Sequence, residues 1–578
     1  MTIALAVSLF VASPARAEVS IVLLPRGGSV RELAAAGMSP GLMSAGLGAV
    51  PAQQTYLDVG QGNRVFDSLY DSELPPARVP LGRPVTDPDL LRRAESAPAE
   101  IVPGLLATTL EENGRKIAVR VASLPRLRRL VGELRAGDLL IAIERPPPEK
   151  NRELAIGIAG RGFDGDLTSD STRLDGYVLS TDIAPTVLEW FGIDVPSQMS
   201  GQPIRAEGAV DPAAVEALGE RMAVISERRG PVIGLSLLAW ALALGLAIAC
   251  TRGAAGRMGV RVAGLAVVYL PLVLLAAAAA EPGQTLEMSM AMLGAPLLAA
   301  LTLALFGGYR ALALASALTV LAYAVDVIAG SPLTTLSLLG PNPGLGVRFY
   351  GIGNELEALL AVLIVAGTGA GLAGFAPRLS PRGSAIAFLA IGLCGAFVFA
   401  AGRFGADVGA AIVFPVGAAV AAAAIAARRR RSVLLIVALP FAVLALLALG
   451  DLLSGANAHL TRSVLDAGGL SDLGDVAQRR LQLSAHSFTR PIVFVFLPLI
   501  VLFAALAVAR RERLRAWLSG RPAMRAGLIG AVATTLVGTL ANDSGALLLE
   551  IGTAYLLVFV GFAWTESATP DAAGETGR

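Results

Sequence analysis

The chain has 578 residues, 54% of them apolar and only 16% charged, with a mean hydropathy of +0.65, which excludes an ordinary soluble protein. A formal net charge of +2 carries no electrostatic footprint for nucleic acid. The two cysteines, Cys250 and Cys394, both lie in apolar runs, so the polar N-terminal region has no disulfide and must fold on its own core.

Residues 1–17 read as a signal peptide: residues 1–13 are apolar but too short to span a bilayer comfortably, and Ala15-Arg16-Ala17 is an A-x-A-like cleavage site. A retained signal anchor is the alternative. Residues 18–230 read as a soluble α/β domain. Apolar runs predict strands at Val19–Leu24, Ile117–Val121, Leu139–Ile143 and Leu154–Ile158, with helices at Val102–Asn113 and Leu124–Arg135. The alternation predicts a mainly parallel sheet. Asn113-Gly114 supplies the left-handed stop between the first helix and the strand at Ile117.

Residues 231–565 read as an all-α transmembrane bundle. Apolar runs predict eleven spans: 232–250, 260–280, 287–306, 309–329, 354–374, 384–402, 407–427, 433–450, 491–509, 524–541 and 545–564. With the N-terminal domain placed outside, the inward turns carry Arg252, Arg257 and Arg261; Arg310; Arg378 and Arg382; Arg428–Arg431; and the arginines from Arg510 to Arg525. This satisfies the positive-inside rule for a multi-pass protein of the plasma membrane. An odd number of spans then leaves residues 566–578 as a disordered cytoplasmic tail. Two outward loops are long, 330–353 and 451–490. The second contains His459 and His486 and predicts a short interfacial helix, with Gln478–Ser487 amphipathic.

Charged groups cost roughly 2.5–3.5 kcal/mol near mid-bilayer, so polar residues at span ends carry the functional signal. Three strings stand out. Arg348-Phe349-Tyr350-Gly351-Ile352-Gly353-Asn354-Glu355 is followed by Glu357; Gly402-Arg403-Phe404-Gly405-Ala406-Asp407-Val408-Gly409 stands alone; Asn542-Asp543-Ser544-Gly545 is followed by Glu550. All three fall at outward ends, as does Asp326. The expected substrate-binding set is Arg348, Tyr350, Asn354, Glu355, Glu357, Arg403, Asp407, Asn542, Asp543 and Glu550. Helical spacing puts Asn354 with Glu357, and Asp543 with Glu550, on shared faces. Local readings compete: Arg403 and Asp407, four apart, could pair with each other; Arg348 could snorkel; Asn542–Gly545 could be a helix cap. Arginines in such a pocket suit phosphate or carboxylate; carboxylates suit a base, a cation or proton transfer.

The end of the N-terminal domain carries a further pattern. Gly160-Arg161-Gly162-Phe163, Thr168–Arg173, Ser180-Thr181-Asp182-Ile183-Ala184-Pro185-Thr186-Val187-Leu188-Glu189, Gly192-Ile193 and Gly201-Gln202-Pro203-Ile204 follow in order. This resembles the C-terminal core of the alkaline phosphatase and sulfatase superfamily. The resemblance implies an alkaline-phosphatase-like α/β fold and, in members that hydrolyse esters, a metal site rich in Asp and His. Here the first strand ends Leu23-Leu24-Pro25-Arg26 without Asp, a later strand ends Ile143-Glu144-Arg145-Pro146 without Asp-His, and the domain has no histidine. A degenerate, non-catalytic binding or assembly domain is therefore expected. Asp182 reads as a helix cap, and Asp164, Asp166 and Asp170 as solvated loop carboxylates. The "R-F-Y-G-I-G-N-E", "G-A-D-V-G" and "N-D-S-G" strings resemble a group of large bacterial membrane proteins bearing such a domain, for which the resemblance implies no reaction.

These readings converge on a cell-envelope protein that binds and transfers or translocates an anionic or lipid-linked envelope substrate at an outward-facing pocket, in contact with membrane lipid. No catalytic residue, metal ligand or cofactor is assigned. A metal-dependent phosphatase or phosphotransferase acting through the N-terminal domain, and a cation- or proton-coupled transporter, are the rival expectations.

Overall fold

The computed structural model describes residues 18–65, 81–95, 100–250, 253–426, 429–453 and 481–567. The expected signal peptide, 1–17, residues 568–578 of the expected tail and residues 454–480, including His459, lie outside them. The chain divides into two compact units. One comprises residues up to Ala223 together with Pro343–Phe349; the other comprises Val224–Asn342 and the chain from Tyr350.

The first unit is α/β. Its main sheet has the order β3-β1-β4-β5-β2-β7, built from β1 (Val19–Leu24), β2 (Ser39–Ser44), β3 (Ile117–Val121), β4 (Leu139–Glu144), β5 (Glu153–Ala159) and β7 (Tyr177–Leu179). A second ribbon pairs β6 (Asp166–Ser169) with β8 (Ile204–Glu207). Helices α1 (Val30–Ala35), α2 (Ala52–Gln61), α3 (Pro88–Glu95), α4 (Leu105–Glu112), α5 (Leu124–Gly132) and α6 (Ile183–Trp190) connect the strands. The four expected strands form, and three of them carry the core: Val19, Ile21, Ile141, Ile156 and Ile158 are fully buried, whereas β3, at the sheet edge, leaves Val119 and Val121 exposed. Asn113 ends α4 and Gly114 follows at φ +64°, the left-handed stop.

The sheet is mainly parallel, as expected, but mixed, because one strand is reversed. β5 runs antiparallel to both β4 and β2. Residues 145–152 link β4 to β5, too few for the crossover that a parallel neighbour needs. β2 has the sequence Ser-Pro-Gly-Leu-Met-Ser, with poor strand formers throughout, yet it pairs on both edges.

The segment Pro343–Phe349 is part of this unit. Gly48 N–H donates to the Leu345 carbonyl at 2.8 Å. The Phe349 ring lies 5.6 Å from the Tyr177 ring, and the Arg64 guanidinium sits 5.7 Å from the Phe349 centroid. Such stacking and cation–π contacts contribute about 0.5–1.5 kcal/mol each beyond the area they bury.

The second unit is helical and makes the chain a multi-pass membrane protein. Its helices are α7 (Pro212–Cys250, which begins in the first unit), α8 (Ala254–Ala280), α9 (Gln284–Phe306), α10 (Gly308–Ile328), α11 (Pro332–Leu336), α12 (Asn354–Phe375), α13 (Pro381–Ala400), α14 (Val408–Ala426), α15 (Arg429–Leu453), α16 (Val493–Ala509), α17 (Arg511–Trp517), α18 (Pro522–Ala541) and α19 (Gly545–Ser567). Among the described residues nine helices are long and apolar enough to cross a membrane, ten if α16 and α17, bent by 76°, form one span. That is fewer than the eleven expected. The span predicted at 433–450 lies in α15, within which Ile436–Gly450 is the described apolar stretch.

On α9, Leu293, Leu297, Leu301 and Leu305 are 68%, 71%, 55% and 67% exposed, an i+4 apolar stripe of the kind that faces lipid. The interior is the reverse. α12, α14 and α18 cross on glycine: a Cβ on Gly530 would fall 2.5 Å from the Gly417 carbonyl and 2.7 Å from Val365. Without a hydrophobic drive between helices in lipid, this close packing holds them together.

Candidate functional site

The site forms where three helix ends meet. Glu357 lies in the first turn of α12 and is fully buried. Asn542 ends α18 in an extended conformation (φ −104°, ψ 150°), which turns its side chain out of the helix. Its amide nitrogen donates to Glu357 Oε2 at 2.6 Å and to Asn354 Oδ1 at 3.3 Å. Asn354 Nδ2 in turn donates to Asp543 Oδ1 at 3.0 Å. A polar chain therefore runs from exposed Asp543 to a carboxylate removed from solvent.

The third element is the start of α14. Asp407 is buried and caps that helix, accepting from Gly409 N at 2.8 Å and Ala410 N at 3.3 Å. A Cβ on Gly409 would sit 2.5–2.7 Å from the Glu357 carboxyl group, so glycine is required there. Glu357 and Asp407 thus share the N-terminal ends of two helices. Each helix end contributes about half a positive charge, which offsets part of the cost of burying two carboxylates. The preceding loops are joined: Ile352 N–H donates to the Gly405 carbonyl at 3.0 Å, and Gly351, at φ +75°, abuts the same carbonyl.

Residues 481–487 form the expected short helix and wall the Asn542 loop. Ser484 Oγ donates to the Thr539 carbonyl at 2.7 Å, and Ser487 Oγ accepts from Ala546 N at 3.0 Å. Both serines are buried, whereas Leu481 and Leu483 are exposed. The amphipathicity is that of a membrane surface, polar toward the protein and apolar outward.

Of the residues expected at the site, Asn354, Glu357, Asp407, Asn542 and Asp543 come together. Glu355 instead pairs with Arg229 Nη1 at 3.1 Å, while Arg229 Nη2 donates to the Gly340 carbonyl at 2.6 Å. Arg348 belongs to the α/β unit, and the helical unit resumes at partly buried Tyr350. Arg403 is exposed, with its guanidinium 5.6 Å from the Phe404 centroid. It lies with Asp407 in the loop 401–407, so their spacing of four is not a helical turn. Glu550 is on α19, and its Oε1 is buried without a hydrogen-bond partner among the described residues. Asp543 precedes α19, which starts at Gly545, so the two do not share a helical face. Asp326 caps α11, accepting from Leu333 N and Thr334 N at 3.1 and 2.7 Å.

Arg229, Ser484 and Ser487 are additions that sequence reading did not select. Arg228-Arg229, two arginines at the end of the first predicted span that is expected to face outward, break the charge rule on which the expected orientation rests. That exception signalled paired arginines; Arg228 meets fully buried Glu287 at 3.4 Å.

In the α/β unit, Asp182 stands at the N-cap position of α6, as expected, but its side chain makes no capping bond to that helix. Its Oδ2 accepts from Ser169 Oγ (2.7 Å) and Leu179 N (2.9 Å), and its Oδ1 from Ser171 Oγ (2.6 Å) and Gln202 N (2.9 Å). Four donors occupy both oxygens, so the side chain is a structural hub. Asp166 is a buried strand residue of β6 that accepts from Asp211 N, not a solvated loop carboxylate, while Asp170 pairs with Arg205 at the surface. Among the described residues no group of three or more His, Cys, Asp or Glu is placed to hold a metal ion.

Burial pushes the carboxyls of Asp182, Asp166 and Glu153 above their usual range, against the hydrogen bonds that Asp182, Asp166 and Glu153 accept. Burial likewise lowers the Arg64 guanidinium, opposed by Asp58, Asp182 and Tyr177. A carboxyl raised in the folded state stabilises below its unfolded value, and that contribution is lost as pH rises through the folded value. Glu153 accepts a hydrogen bond from Tyr177, which a glutamine carbonyl can also accept. Glu153→Gln is therefore expected to flatten the fall in melting temperature just above the ordinary glutamate range, measured by thermal unfolding of the full chain.

Among known proteins, no family model, no curated protein and no solved structure matches this chain. What the site does must be argued from its chemistry.

Proposed function

We propose that this is a cell-envelope protein of the plasma membrane that binds a lipid-linked substrate at the Glu357–Asn542–Asp543 cluster and transfers or translocates it. The carrying observation is the fully buried Glu357 carboxylate, bonded to an amide from a distant helix and linked by Asn354 to exposed Asp543. Intramembrane carboxylates are expensive and are kept for function. Carboxylates and amides pair with hydroxyl groups, which favours a substrate with a hydroxyl-rich, glycosyl head, while Arg403 at the exposed loop suits its phosphate. Glu357 acts as a positioning residue; Asn354 and Asp543 make the contacts.

Orientation follows from charge. α12 begins at the cluster and ends near Arg378 and Arg382, so the arginine-rich end is cytoplasmic and the cluster faces outward. The α/β unit is then extracytoplasmic, an alkaline-phosphatase-like domain that binds rather than hydrolyses, consistent with Asp182 being fully engaged by four donors. A second reading, proton- or cation-coupled movement of the substrate, is favoured by the same buried carboxyl.

The test compares a glycosylated polyprenyl phosphate with the bare polyprenyl phosphate as probes, bound to the full chain in nanodiscs. Tighter binding of the glycosylated probe, reduced at least tenfold in both Asp543→Asn and Glu357→Gln, is expected. Unchanged affinity in both variants would overturn the proposal.

A further inference from the structure

A second polar feature lies at the opposite end of the same helices. α12 runs from Asn354 to Phe375, so its C-terminus is about 27 Å from Glu357 at 1.5 Å per residue, close to a hydrocarbon thickness. There a cavity of about 100 Å³ opens between the end of α12, the starts of α13 and α18, and the end of α14. About 10–15 Å³ admits one water, so the volume accommodates a small polyatomic group.

The lining has two characters. Leu372, Leu379 and Ile425 form an apolar wall, while Arg521 and Ser384 are the polar residues, the Arg521 guanidinium also lying 5.9 Å from the Tyr309 ring centroid. Ser384, only 3% exposed, lines the cavity, and its hydroxyl makes no hydrogen bond among the described residues. Two 20-residue helices begin at this place, α13 at Pro381 and α18 at Pro522, and each presents the positive end of its dipole. The end of α12 opposes them, but its Gly374 carbonyl is already taken by Arg310 Nε at 2.9 Å. Exposed Arg378, Arg382 and Arg525 flank the cavity in sequence, and segments 372–384 and 518–525 contain no acidic residue.

We propose that this cavity binds the phosphate group of an anionic membrane lipid, with Ser384 and the start of α18 as donors, Arg521 as the cation and the apolar wall against an acyl chain. Anion recognition alone would serve inorganic phosphate as well. The apolar wall and the position about one hydrocarbon thickness from the Glu357 cluster favour the lipid. The inference does not depend on the substrate proposed above.

The experiment is native mass spectrometry of the full chain released from nanodiscs of phosphatidylcholine doped with phosphatidylglycerol, with inorganic phosphate as a separate arm. One retained phosphatidylglycerol per chain is expected, with occupancy falling at least tenfold in both Ser384→Ala and Arg521→Gln. Ser384→Ala breaks no hydrogen bond, so its melting temperature should equal that of the parent, and a loss of occupancy then reports the site. Equal occupancy in parent and both variants, or no preference for phosphatidylglycerol over phosphatidylcholine, would overturn the proposal. Displacement of the lipid by millimolar inorganic phosphate would also overturn it and assign the cavity to the free anion.

Discussion

Glu357→Ala is expected to lower the stability of the helical unit by about 2–4 kcal/mol, whereas Glu357→Gln retains most of it. Truncation to alanine leaves the Asn542 amide buried without its 2.6 Å acceptor, a loss of roughly 1–3 kcal/mol. It also opens space beside Gly409, where the carboxyl group now fills the gap a side chain would occupy, and lost packing adds a further term. Removal of the charge works the other way by ending its desolvation cost, which keeps the total from being larger. Glutamine preserves shape and presents a carbonyl oxygen to Asn542. It is the informative variant for function, because the fold survives while the charge does not. Thermal unfolding in detergent distinguishes the two, and equal losses in both variants would mean that Asn542 is not bonded to Glu357.

Gly530→Val is expected to be more damaging still, abolishing the folded monomer. A Cβ there meets the Gly417 carbonyl, Val365 and Ala421 at 2.5–2.8 Å, and valine adds two further methyl groups. Backbone cannot yield as a flexible side chain does, so α12, α14 and α18 must separate, at a cost above the 1–3 kcal/mol usual for overpacking. The neighbouring Ile529→Val is the control: Ile529 is 42% exposed toward lipid and should leave yield and elution unchanged. Size-exclusion chromatography of the two variants reads the difference. The prediction bears on function because these same helices carry Glu357, Asp407 and Asn542 at their ends.

Much of this architecture was legible because the signals were strong. Apolar runs near twenty residues, punctuated by arginine, located the membrane helices. The β-branched runs at Val19 and Ile141 located central strands. β2 was hidden because Pro40, Gly41 and its serines are chosen by their neighbours in the sheet rather than by strand propensity. The reversal of β5 was hidden for another reason: its direction depends on the shortness of the 145–152 link, not on the strand's own residues.

The site was legible in kind and only partly in membership. Polar residues at span ends pointed to Asn354, Glu357, Asp407, Asn542 and Asp543, because burial in lipid makes each such residue costly. Helical periodicity failed where chain leaves the helix, at Arg403 and at Asp543, since a loop does not keep the 3.6-residue repeat. Ser484 and Ser487 carried no signal, as serine at an interface is unremarkable until its partner is known. Asp182 misled because its position before α6 matches a cap, while its carboxylate turns back to four donors drawn from 169 to 202.

The central claim is that the ends of α12 and α18 meet through Glu357 and Asn542. A double-mutant cycle of Glu357→Ala and Asn542→Ala, read as unfolding free energy of the full chain in one detergent, tests it most directly. A coupling of about 1–3 kcal/mol is expected for residues in direct contact within a hydrogen-bonded network. Additive losses, with a coupling within about 0.3–0.5 kcal/mol of zero, would contradict the account.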